Sequence, residues 1–176
     1  MALLAEEIVE EWVRRSGFFT LRGVRIGVHE IDLLAVRYRP GQEPECRHIE
    51  VQASVRPMSY ISKVPKALQK QGRPPTSAKR TDEELEVGVA EWVKTKFTLP
   101  RKVALMKSLF PTNWSRELVI HNVKAQKEVE LIRGHGISVI SLGSIIESLR
   151  RRDGFVESAA GGDFAELVTL SPTSGI

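Results

Sequence analysis

HEIDLLAVRYRPGQEPECRHIEVQ, residues 29–52, is the stretch that decides how this chain is read. Two strand-like runs, His29 to Tyr38 and Arg47 to Val55, flank a turn built from Pro40, Gly41 and Pro44. Residues two apart in a strand point the same way. Asp32 is therefore expected on one face of its strand, with Ile31 and Leu33 on the other. On the second run Glu50 and Gln52 share a face, opposite Ile49, Val51 and Ala53. A hairpin brings Asp32 beside Glu50, and two adjacent carboxylates are costly unless a cation sits between them. Hard divalent cations take carboxylate oxygens and keep several waters, so the pair reads as a candidate magnesium site.

Composition narrows the field around that stretch. At 176 residues, with 41% hydrophobic and 27% charged residues, the chain has the size and core material of one globular domain. Its one cysteine, Cys46, excludes an internal disulfide, and four scattered histidines offer no zinc-ligand spacing. Neither a signal peptide nor a long apolar run is present, so a cytoplasmic protein without membrane association is expected. Net charge is +4 and the pI is about 9.4. The distribution matters more: no acidic residue lies between Glu50 and Asp82, while Arg56, Lys63, Lys66, Lys70, Arg73, Lys79 and Arg80 do. A one-signed surface of this kind suits the phosphates of a nucleic acid; the plainer reading is a solvated face.

Periodicity supplies the remaining elements. Leu4, Ala5, Ile8, Val9, Trp12 and Val13 form the apolar stripe of a helix over Ala2 to Arg15, with Glu6, Glu7, Glu10 and Glu11 off it and Gly17 as its stop. Phe18 to Val28 reads as a strand interrupted by Gly23 and Gly27. Lys63 to Gln71 reads as a short helix and Asp82 to Phe97 as an amphipathic one carrying Leu85, Val89, Trp92 and Val93. Thr98 is placed to cap a further helix, with Pro100 in its first turn, that runs to Phe110. Glu117 to Val123 and Ile137 to Ser141 read as buried strands around a helix at Lys124 to Arg133, a pattern that implies a parallel pair with a right-handed crossover. Ser144 to Arg152 closes the domain, and Phe164 to Leu170 is a docking candidate in the tail. His29 and His48 flank the central stretch and read as hydrogen-bonded histidines rather than ligands. Trp92 and Trp114, among apolar neighbours, read as core.

Taken together, Glu7, Asp32 and Glu50-Val51-Gln52 resemble the PD-(D/E)XK nuclease superfamily, the fold of restriction endonucleases and archaeal Holliday-junction resolvases. That family's pattern is a helix glutamate, an aspartate ending a short apolar strand, and Glu-x-Lys on the next strand. Glu30-Ile31-Asp32-Leu33-Leu34-Ala35 is similar to its aspartate strand, and Gln52 departs from it where lysine is usual. The resemblance covers roughly the first 55 residues and, more loosely, Glu117 to Arg150. It implies an α/β, restriction endonuclease-like three-layer fold with a central mixed sheet flanked by helices. One nuclease domain would span 1–155, with a mostly helical insertion at about 56–115 and a tail at 156–176. The implied function is Mg²⁺- or Mn²⁺-dependent hydrolysis of phosphodiesters, most naturally in DNA. Asp32, Glu50 and the main-chain carbonyl of Val51 would hold the metal, and Glu7 would reach it through a water, with Glu11 as its substitute. Gln52 would orient the attacking water, and Lys63 or Lys66 would supply the charge that the missing lysine does not. Homodimers are common among such nucleases, so a second copy joins nucleic acid as an expected partner. The alternatives are a nucleic-acid-binding module that kept the fold and lost the chemistry, and a scaffold subunit in which Asp32 and Glu50 are ordinary strand carboxylates.

Overall fold

Gly27 takes φ 62°, a backbone region glycine enters without a Cβ penalty, and there β1 (Phe19–Ile26) turns back into β2 (His29–Arg37). Pro40 and Gly41 then lead into β3 (Glu45–Met58). The computed structural model describes residues 2–151. The remaining elements are α1 (Ala2–Arg15), α2 (Lys66–Lys70), α3 (Asp82–Lys96), α4 (Pro100–Leu109), β4 (Trp114–Val123), α5 (Gln126–Gly134), β5 (Ser138–Ser141) and α6 (Leu142–Arg150). Five strands form one sheet in the order β1-β2-β3-β4-β5. The pairs β1/β2 and β2/β3 are antiparallel; β3/β4 and β4/β5 are parallel. Arg152, the 156–176 tail and the Phe164 to Leu170 docking candidate lie outside the described residues.

Helices cover both faces, which makes this a three-layer α/β arrangement. On one face Ala5, Ile8, Val9 and Val13 of α1 and Leu142, Ile145 and Leu149 of α6 pack on Leu33, Ala35, Ile49, Val51 and Val119. On the other, Leu85, Val89 and Val93 of α3 and Ile132 of α5 pack with Leu118, Ile137 and Phe97. Each such fully buried aliphatic contributes about 1.5–3 kcal/mol by leaving water. Trp92 packs, half-buried, against the second of these clusters, and Trp114 against a third one around Ile31, Leu34 and Met106. The alternation inferred for Ile49, Val51 and Ala53 holds, whereas Ile31 departs from it. It joins Leu34 and Met106 in that third cluster instead of Leu33. The β2/β3 ladder runs only as far as Leu33 opposite Ile49, so Ile31 lies where β2 pairs with β1 alone.

Helix starts also differ in part. Thr98 caps nothing: α4 begins at Pro100 with Leu99 in the capping position, and proline needs no partner for an N–H it lacks. α6 begins at Leu142, where the Ser141 hydroxyl accepts from the Gly143 N–H. α3 starts with a capping box in which Thr81 and Glu84 satisfy each other's backbone N–H groups. Before it, the chain from β3 is tied down by Glu128 of α5. This carboxylate, wholly buried, accepts from the N–H groups of Ile61 and Ser62 and from the Ser62 hydroxyl, at 2.6, 2.8 and 2.5 Å.

Candidate active site

The end of the β2/β3 ladder creates the site. One step beyond the Leu33–Ile49 pair, antiparallel register would set Asp32 against Glu50, and the backbone pairing stops there. The Val51 N–H donates instead to Asp32 Oδ2 at 2.8 Å. Both carboxylates then meet one ammonium: Lys96 Nζ lies 2.5 Å from Glu50 Oε2 and 3.7 Å from Asp32 Oδ1. Glu50 Oε1 accepts from Lys102 Nζ and from His48 Nε2, each at 3.0 Å. Lys102 Nζ also donates to the Lys96 carbonyl at 2.9 Å. Glu50 and Lys102 are each 1% exposed, while the Lys96 side chain is 28% exposed.

These contacts set the protonation states. Burial opposes ionisation of Glu50, yet the His48 hydrogen bond and the two ammoniums outweigh it and hold its pKa down at about 2. Asp32 is pushed up to about 7, first by burial and then by Glu50; Lys96 and the Val51 N–H pull the other way without prevailing. Burial lowers Lys96, but Glu50 and Asp32 reverse the sign and leave it raised. His48 is driven down by burial, so it is a neutral imidazole whose Nε2–H faces the carboxylate. Its Nδ1 has no hydrogen-bond partner among the described residues, and its ring rests against Phe97 with centroids 4.8 Å apart.

Some of the residues picked from the sequence come together here, and others do not. Asp32 and Glu50 converge. Gln52, half-buried, lines an adjoining cleft of about 500 Å³ together with Lys63, Lys66, Trp92, Thr95 and Lys96. Lys63 and Lys66 are exposed on that cleft, but the ammoniums paired with the carboxylates are those of Lys96 and Lys102. Val51 meets Asp32 through its amide and sends its side chain into the α1 face. Glu7 is drawn away by an ion pair with Arg22 at 3.2 Å and is 41% exposed. One residue earlier, about 100° round the helix, Glu6 is the α1 carboxyl that feels the site. Burial raises its pKa, as does Glu30, and Lys96 and Glu50 also act on it. Glu11 pairs with Arg15 at 2.9 Å, both side chains buried. In the basic stretch Arg73 pairs with Glu84. Arg80 stacks over Tyr60 at 4.2 Å and donates to Ser62 Oγ at 3.2 Å. Both arginines are thus tied within the fold, while Arg56, Lys70 and Lys79 stay exposed.

Lys96 and Lys102 were not expected at the site, yet both carry a signal in the sequence. Leu85, Val89, Trp92 and Lys96 continue one stripe at spacings of four and three, and Lys102 stands one turn before Met106 on the buried side of α4. A lysine on an apolar stripe requires a buried partner.

Among the described residues no group of three or more His, Cys, Asp or Glu side chains could hold a metal ion. The carboxylates that converge here are two, those of Asp32 and Glu50. The position between Asp32 Oδ1 and Glu50 Oε2 is occupied by the Lys96 ammonium.

Among the described residues no helix is long and apolar enough to cross a membrane. No family model matches the sequence, and no curated protein is detectably similar to it. Among solved structures the chain is similar to the crystal structure of a protein of unknown function, AF1548. The TM-score is 0.48 at 11% identity, over 96% of this chain and 79% of that one, a likeness too distant to carry an argument.

Proposed function

We propose that this chain is a metal-dependent nuclease of the PD-(D/E)XK kind, with the restriction endonuclease-like form of the three-layer fold, and that it hydrolyses phosphodiesters, most naturally in DNA. The observation that carries the proposal is the convergence of Asp32 and Glu50 on one cationic position beside a lysine-lined cleft. Asp32, Glu50 and the Val51 carbonyl would hold Mg²⁺ or Mn²⁺, which supplies an acidified water and offsets charge on the phosphorane. The chain's own groups do the rest. Lys102 and His48 keep Glu50 ionised and fix its orientation. The Gln52 amide orients water but carries no charge. Lys96 fills that gap: it brings an ammonium to the site from α3 instead of from β3, and Lys63 and Lys66 hold phosphate on the cleft wall. A second reading, a binding module without chemistry, is favoured by one fact: both Glu50 oxygens are already hydrogen-bonded.

Incubation with single-stranded, duplex and branched DNA in Mg²⁺ or Mn²⁺ tests the proposal. Cleavage is expected that needs the metal and falls by about 10²-fold or more in Asp32→Asn and Lys96→Met, as removal of a transition-state charge stabiliser does. Binding without cleavage by the natural chain, with cleavage appearing only in Gln52→Lys, would favour the second reading.

A further inference from the structure

The two ammoniums on Glu50 differ in one respect. Lys102 is 1% exposed and hydrogen-bonded to Glu50 Oε1 and to the Lys96 carbonyl. Stripping it of its partner would leave a buried charge uncompensated. Lys96 is 28% exposed, ends α3, and lines the cleft through which solvent arrives. Its four-carbon stem lets the ammonium move while the helix stays still. With both carboxylates ionised, Asp32, Glu50, Lys96 and Lys102 sum to zero charge. A divalent ion added to that set would leave two uncompensated positive charges in a largely buried site.

We infer that Lys96 is a resident counter-ion that competes with the divalent metal for Asp32 Oδ1 and Glu50 Oε2, whereas Lys102 is the permanent counter-ion of Glu50. The inference rests on the metal-site reading of Asp32 and Glu50 and adds a constraint to it. For Asp32 and Glu50 to hold a metal, the Lys96 ammonium would have to withdraw toward the cleft it lines, where the phosphate of an incoming phosphodiester would receive it. The same lysine therefore guards the site when substrate is absent and serves the substrate when it is present. Metal affinity without substrate is held down by the competition, and an anionic backbone in the cleft relieves it.

Binding of Mn²⁺ to the full chain, measured by calorimetry and by the loss of the free-ion electron paramagnetic resonance signal, tests this without reference to catalysis. Lys96→Met, and Lys96→Gln as a second variant of different shape, are each expected to bind Mn²⁺ about tenfold or more tightly than the natural chain, since a like charge a few ångströms away is removed. Adding Asp32→Asn to either variant should abolish the gain. Equal or weaker binding by both Lys96 variants, with Asp32-dependent binding in the natural chain, would overturn the competition and leave the metal site standing. No Asp32-dependent binding in any form would overturn both.

Discussion

Asp32 and Glu50 share one lysine that favours the ionised form of both, yet the rest of their surroundings drives them in opposite directions. Glu50 has three donors against its burial and stays ionised in acid; Asp32 has one close donor, the Val51 N–H, and gains a proton near neutrality. The consequences for stability have opposite signs. Asp32 is raised above its ordinary 3.8, so its contribution is complete below that value and is lost as pH rises through about 7. Glu50 is lowered from 4.5 to about 2, so its contribution is present above 4.5 and is lost as pH falls toward 2. Asp32→Asn mimics the protonated form at every pH. Urea unfolding of the natural chain and this variant should therefore show a gap that moves against the natural chain by on the order of 2 kcal/mol between pH 5 and pH 8. A gap that ignores pH would mean that Asp32 is ionised throughout. Strand alternation was enough to find both carboxylates, because side-chain direction in a strand follows from the backbone alone. It could not find Lys96 and Lys102, which reach the site by tertiary packing of α3 and α4. The resemblance pointed to Glu7, with Glu11 as substitute, because a position along a helix does not say which carboxylate a strand arginine will claim.

The basic segment between β3 and α3 separates charge that is free from charge that is spent. Arg73 and Arg80 are engaged with Glu84, Tyr60 and Ser62; Lys63 and Lys66 stand open on the cleft. Reversing Lys63 and Lys66 to glutamate should weaken DNA binding across all sequences and flatten the slope of log K against log salt by about one unit for each phosphate left unpaired. Arg73→Gln should instead lower stability and leave the slope nearly unchanged; the reverse pattern would assign the phosphates to the arginines. Composition alone marked all of these cations equally, since it records charge and not partners. The anchor beneath the segment is Glu128, whose carboxylate takes three hydrogen bonds in the dark of the core. Glu128→Ala should cost about 3 kcal/mol or more in thermal or urea unfolding, because it leaves buried N–H groups unpaired. Helix and strand bodies were legible from periodicity, but this tie between residues 61 and 128 has no local signature.

At the scale of the molecule, a sheet whose pairing stops early between β2 and β3 meets a helical layer that brings lysines to the opening. The mixed sheet with helices on both faces is what the resemblance implied, and the parallel β4/β5 pair followed from the strand-helix-strand spacing. The distance between the α3 layer and the chain leaving β3 was not legible, because it depends on an atom that is missing. Gly88 faces the Lys63 carbonyl so closely that a Cβ built there would lie 2.6 Å from the oxygen, and both groups border the cleft. Gly88→Ala should destabilise by about 1–3 kcal/mol as α3 and the Lys63 segment are pushed apart; an unchanged unfolding midpoint would show that the two segments part freely. The cleft is thus gauged by main chain pressed against main chain, as a calliper is set by its jaws and not by what it holds. Trimming lysines or glutamines along its walls changes what the cleft attracts and leaves its bore untouched. A wider cleft would have to be made at Gly88, where the main chain and not a side chain sets the spacing.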